Sequence, residues 1–211
     1  MNTSLIADSF VSLAALGGLL VLIGVIRSFD AKSPLNRRFL FGLQVLAALM
    51  ASRVLAWWTD LFIFKAATII TAGLVPLSTV LLAEGLLRRH APRTTKWIAA
   101  GGAATFFILA FLPASFAEPW RVTLLFLYQL VTFALAGHMT MTRDRTSLSK
   151  AENQAVDRIA LSLLLILPLL VTDFRSVYID QPVRLGGVAI LFLCWLLISL
   201  GQRAVGHRDT V

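Results

Sequence analysis

NRRFLFGLQVLAALMASRVLAWWTD, residues 36–60, holds in one stretch the features that decide the fold of this chain. Arg37 and Arg38 precede an apolar run over 39–58 that is interrupted by Gln44, Ser52 and Arg53 and closed by Trp57 and Trp58. At 1.5 Å rise per residue, about 20 helical residues cross a hydrocarbon core about 30 Å thick. A basic flank at one end and tryptophans at the other predict a transmembrane helix that starts at the cytoplasm and ends in the opposite interface.

Six further apolar runs flank this one, over about 5–26, 61–87, 97–115, 121–141, 159–174 and 185–202. The first, second, third and fifth hold 20 residues or more, and the fourth, sixth and seventh hold 19, 16 and 18. The third would extend about 40 Å as a helix and must tilt, bend or project, with Pro76 near its middle as the expected bend. Composition agrees: 58% of the 211 residues are apolar and 14% charged, and the mean hydropathy is +0.82, far from the averages of soluble domains. No polar stretch is long enough to hold a second folded unit, so residues 1–211 are expected to form one all-α domain, a bundle of seven transmembrane helices.

Charge orients that bundle, because Lys and Arg concentrate in cytoplasmic loops. Arg27, Lys32, Arg37 and Arg38 fall in one connection; Arg88, Arg89, Arg93 and Lys96 in the next on that side; then Arg143, Arg145, Lys150 and Arg158; and Arg203 and Arg208 in the tail. The intervening connections hold Arg121, Arg175 and Arg184. The alternation requires an odd number of spans, with the N-terminus outside and the C-terminus in the cytoplasm. The net charge of +8 is therefore assigned to a membrane surface and its anionic lipid headgroups, not to nucleic acid, since it is spread over short loops between apolar helices.

The first run lacks a preceding basic residue, and Asp8 opens it, so it is expected to be retained as a span and not removed as a leader. Cys194 is the single cysteine, which excludes an intramolecular disulfide, and is expected to be a small apolar filler. His90, His138 and His207 have no ligand-spaced neighbours, so no metal site and no cofactor is expected. The motifs GxSxG, HExxH and GxxxxGK[ST] are absent, and the seventh run holds no lysine for a retinal linkage, so the expectation is a non-enzymatic protein. Gly17, Gly18, Gly24, Gly101, Gly102, Gly186 and Gly187 are expected at close helix contacts.

Ionisable side chains near apolar runs are the remaining pointers, because a charge at the bilayer centre costs at least about 2.5 kcal/mol. Arg53, Asp60, Lys65, Asp173 and Arg175 all map to the outer third or outer loops, with Asp180 and Arg184 nearby. They could line an outward-open site that attracts an anionic group, or tie helices together as ion pairs, or, for Arg53, snorkel to the interface. Pro168 lies just before Asp173 as a candidate hinge. At the inner side, AEGLLRRHAPRTTK over Ala83–Lys96 is the most distinctive segment. Glu84 and Arg88 stand at i and i+4 as an expected local pair, and with Arg89, His90, Arg93 and Lys96 they form a candidate docking surface for lipid headgroups or a protein partner. Thr142–Asp157 is a second such loop.

Seven spans with an outer N-terminus are shared by bacterial membrane sensors, an analogy of architecture. The expected role is a sensory or regulatory module in a cell membrane, with a bacterial inner membrane as the expected location. Its outer site would signal through basic inner loops to a separate membrane or cytoplasmic partner. A structural or accessory subunit of a membrane complex is the alternative, and a small-anion transporter comes third.

Overall fold

The computed structural model describes residues 3–30, 33–112, 118–175 and 184–206. Among them are seven α-helices, one short 3₁₀ turn and no strand. The helices are α1 (Thr3–Asp30), α2 (Pro34–Thr59), α3 (Phe62–Leu87), α4 (Arg93–Leu109), α5 (Pro119–Met141), α6 (Lys150–Arg175) and α7 (Gly186–Gly206). Each overlaps one apolar run of the sequence. Four of them, α1, α2, α3 and α5, are long and apolar enough to cross a membrane by length and composition.

Local chemistry sets the helix ends. Pro34 and Pro119 occupy the first turns of α2 and α5, where a missing N–H costs nothing and φ is already helical. Asp60 and Arg88 end α2 and α3 in the left-handed region, at φ 53° and 49°. Each makes a sharp corner, and Asp is among the few side chains that tolerate it. The sixth apolar run, 159–174, understates its helix, because α6 begins at Lys150. Ser149 and Glu152 form a reciprocal cap there: Ser149 N–H donates to Glu152 Oε2 at 2.8 Å, and Glu152 N–H donates to Ser149 Oγ at 3.2 Å. This is the S-x-x-E capping box, and it adds two polar turns before the apolar segment. The fourth helix runs from Arg93 to Leu109, earlier at both ends than 97–115, and residues 113–117 lie outside the described ones.

α1 packs on α2 and α7, α2 on α3, α3 on α4 and α5, α5 on α6, and α6 on α7. Six helices thus close a ring in the order α1, α2, α3, α5, α6, α7, while α4 packs outside it against α3 and α5. A core of Ala15, Leu19, Leu22, Leu43, Met50 and Ile190 joins α1, α2 and α7. Cys194 is buried in the same cluster, beside Gly18.

Where apolar faces meet lipid tails, close packing and hydrogen bonds hold helices together in place of water exclusion. The α3–α4–α5 contact shows how. Pro76 sits inside α3 and is fully buried. It has no N–H to give to the carbonyl four residues back, and that carbonyl, Ala72 O, accepts Gln129 Nε2 of α5 at 3.1 Å instead. Tyr128 Oη lies 2.7 Å from Ala99 O and 3.2 Å from Gly73 O. Its ring covers Gly102, where an added Cβ would come within 2.5 Å of ring atoms, and an added Cβ at Gly73 would lie 2.7 Å from Phe106. Gly17, Gly24 and Gly101 differ from the expectation of close contact: apart from their own stretch of helix, no described atom lies within 4 Å of a Cβ built there. Large apolar side chains such as Phe10, Ile63, Trp97 and Ile108 are exposed on the outside of the bundle.

Candidate functional site

Consecutive helices run in opposite directions, so charged residues at helix ends gather in two places. One is the tryptophan end, where α2 and α6 finish and α1 and α7 start. There Arg53 of α2 forms an ion pair with Asp173 of α6, and both side chains are largely buried, 13% and 17% exposed. The second oxygen of Asp173 accepts the Gly186 N–H, the first of α7, at 2.9 Å. The preceding N–H, of Leu185, donates to Thr172 Oγ1 at 2.9 Å. One turn of α6 thus satisfies the open donors at the start of α7, where a carboxylate also meets the positive end of the helix dipole. Gly186 is required in this arrangement, since an added Cβ would lie 2.8 Å from Asp173 Cγ.

Two guanidinium groups approach the Trp57 ring: Arg53 Cζ is 4.7 Å and Arg184 Cζ 5.4 Å from its centroid, within cation–π range. Arg184 Nε is buried and has no hydrogen-bond partner among the described residues. Burial first, and then the like charge of Arg53, push the pKa of Arg184 down. Asp8, on the first turns of α1, lies within electrostatic reach of Arg53, Arg184 and Asp173. Beside it, Trp58 Nε1 donates to Ser9 Oγ at 3.1 Å. Two acids and two arginines from α1, α2, α6 and the start of α7 make a charge-balanced lock.

Asp60 and Lys65, expected in the same site, form their own pair at the α2–α3 corner, with Nζ 2.5 Å from Oδ1 and Asp60 86% exposed. An ion pair so open to water contributes little. Arg175 ends α6 in the backbone, but its side chain lies outside the described residues, as does Asp180.

The opposite, basic end is built around Glu84, which is 3% exposed. Lys96 Nζ of α4 lies 2.5 Å from Oε1, Arg38 Nη1 of α2 lies 3.5 Å from Oε2, and His90 Nδ1 lies 3.8 Å away. The Ala91 N–H donates to Oε1 at 2.7 Å. Glu84 therefore ties α2, α3 and α4 together. The expected Glu84–Arg88 pair is not among these contacts. Arg88 is the left-handed corner at the end of α3, so its side chain leaves the i, i+4 direction and reaches Glu152 of α6 at 2.6 Å. Arg89 and Arg93 have no ion-pair partner among the described residues. Farther along, Arg143 donates to Asp157 Oδ1 at 2.6 Å, to Asn153 Oδ1 at 3.0 Å and to Thr140 O at 2.7 Å. A cleft of about 420 Å³ opens between the start of α2 and the end of α3, beside Arg38, Arg88, Arg89 and His90.

The described residues hold no cluster of metal-ligating side chains. The chain matches no protein-family model, no curated protein and no solved structure. Function is therefore argued from these two charged ends. Sequence reasoning placed Arg53 with Asp173 and singled out Glu84 and Lys96. It passed over Asp8 as a member of the lock, Thr172 and Gly186 as the join of α6 to α7, and Glu152 and Asp157 as partners of Arg88 and Arg143. The capping box SKAE at 149–152 was the available signal for the last group.

Proposed function

We propose that this chain is a non-enzymatic, seven-span membrane protein that acts as a sensory or regulatory module. Its N-terminus and tryptophan end face outward, and its basic end faces the cytoplasm. The positive-inside distribution of Lys and Arg supports that orientation. The observation that carries the functional reading is that α6 bears charged partners at both ends. Asp173 belongs to the lock with Arg53, while Glu152 and Asp157 are held by Arg88 and Arg143.

A helix of 26 residues is about 39 Å long, enough to reach from one interface to the other. α6 packs mainly against α5 and α7, and ion pairs hold its two ends to α2 and to α3. Pro168, one turn before Asp173, removes one rung of the helix ladder and offers a hinge. A ligand, partner or charge that competes for Arg53 or Asp173 releases the outer end of α6. The released helix then resets the Arg88–Glu152 and Arg143–Asp157 contacts, where a cytoplasmic partner reads the change. Both sites bias one two-position element, which is what coupling requires.

Hydrogen exchange of the protein in lipid nanodiscs tests this. Arg53→Gln is expected to speed exchange at the outer ends of α6 and α7 and also at Lys150–Asp157. A change confined to the neighbourhood of Arg53 would reduce the lock to a structural tie and sink the sensory reading.

A further inference from the structure

We infer that the cleft at the basic end binds the phosphate-bearing headgroup of an anionic phospholipid. The inference rests on the reading that this end lies at a bilayer surface, and it adds a ligand that the lock at the opposite end does not involve.

The cleft has a floor, two walls and a charge surplus. Its floor is Glu84, whose negative charge is met by Lys96 and Arg38 and by the Ala91 N–H. Its rim is Arg88, Arg89 and His90, all exposed at the corner that ends α3. Arg88 is engaged by Glu152 through one nitrogen, Nη2, while Arg89 has no ion-pair partner among the described residues. Four bases, Arg38, Lys96, Arg88 and Arg89, thus face two acids, Glu84 and Glu152, which leaves two positive charges. Phosphate oxygens match adjacent guanidinium groups, which offer paired N–H donors in a fixed plane.

Position selects the source of the phosphate. The opposite wall is Pro34 and Leu35, on the first turn of α2. Leu35 is 38% exposed and stands one helical turn before Phe39, where the apolar length of that helix begins. At about 420 Å³ the cleft has room for a headgroup, with its phosphate at the arginines and its glycerol and acyl portion leaving along Leu35. A free inorganic anion would use the arginines but not the apolar wall. Gly85 keeps the two walls close, since an added Cβ would lie 2.9 Å from Leu35 Cδ1.

The test uses the full chain in neutral detergent, titrated with a short-chain phosphatidylglycerol, the matching phosphatidylcholine and inorganic phosphate. The bound lipid is counted by native mass spectrometry, and the unfolding midpoint is followed in parallel. Phosphatidylglycerol is expected to bind and raise the midpoint, with about tenfold weaker binding in Arg88→Gln/Arg89→Gln. Arg27→Gln/Lys150→Gln, which removes the same charge from outside the cleft, should bind as the wild type does. Should the Arg88 variant unfold, Arg89→Gln alone carries the test, because Arg89 is exposed and supports no ion pair among the described residues. Equal binding by the cleft and control variants would overturn the site. An equal effect of phosphatidylcholine, or of inorganic phosphate, would overturn the anionic-lipid assignment. Arg89 makes no ion pair to α6 among the described residues, so the Arg89→Gln arm separates failure of the lipid site from failure of the sensory reading.

Discussion

The contacts of Asp173 include the ion pair with Arg53 of α2 and the Gly186 N–H at the start of α7, so loss of its charge or of its partner has a defined cost. Removing one member of a buried ion pair leaves the other uncompensated, and Arg53→Ala or Asp173→Asn is expected to lower stability by about 3 kcal/mol. Replacing both together, Arg53→Met with Asp173→Leu, should recover most of that, because one charge of each sign is removed and Asp8 and Arg184 still balance each other. Recovery stays incomplete by about 1 kcal/mol, since the Gly186 N–H then lacks its acceptor. Unfolding midpoints of the three variants in one detergent check this, and equal losses in the single and double variants would contradict it. At this scale the sequence was partly legible. Arg53 and Asp173 are conspicuous because charges near apolar runs are costly, and that cost makes them pair. Which acid meets which base was not legible, because Lys65 takes Asp60 at a local corner and frees Arg53 for a residue 120 positions away. The role of Gly186 was hidden as well, since nothing in the order of residues places a carboxylate of α6 over the first turn of α7.

At the scale of elements, α6 is the helix whose start the apolar pattern misjudged and whose ends matter most. Hydropathy marks where a helix is apolar, and α6 gains its first turns from hydrogen bonds and ion pairs instead. The Ser149 N–H and hydroxyl hold the Glu152 carboxyl below its ordinary value of 4.5, and the Arg143 hydrogen bond holds Asp157 below its ordinary value of 3.8. A carboxyl depressed on folding stabilises the folded form above its unfolded pKa and loses that effect as pH falls through its folded pKa. Amide protection at Lys150–Asp157 is therefore expected to stay level from neutral pH down to about 5 and to fall below about 4. Exchange measured across that range checks it, and a loss of protection centred near pH 6 to 7 would point to histidine and contradict the assignment. The α3–α4–α5 contact was legible only in halves. Pro76 announced a disturbed helix, but the donor that repairs it, Gln129, lies on α5, and no local rule links the two.

For the whole molecule, seven apolar runs correspond to seven helices, and the distribution of Lys and Arg separates two ends that the folded chain keeps apart. Packing order was beyond the sequence: the ring of α1, α2, α3, α5, α6 and α7 with α4 outside it follows from which faces interlock, and periodicity alone does not specify partners. The orientation and the number of crossings are the claims on which the account of the lock, of α6 and of the lipid cleft all depend. α4 is the decisive element, because at 17 residues it is about 26 Å long, the shortest of the seven. Single-cysteine labelling tests this most directly, in a Cys194→Ser background in intact cells, with Asp60→Cys, Arg89→Cys, Glu118→Cys and Thr146→Cys in separate proteins. The account predicts that a membrane-impermeant thiol reagent reaches positions 60 and 118 from outside, and positions 89 and 146 only after the membrane is opened. Labelling of 89 and 118 from the same side would show that α4 does not cross and would contradict the seven-span arrangement.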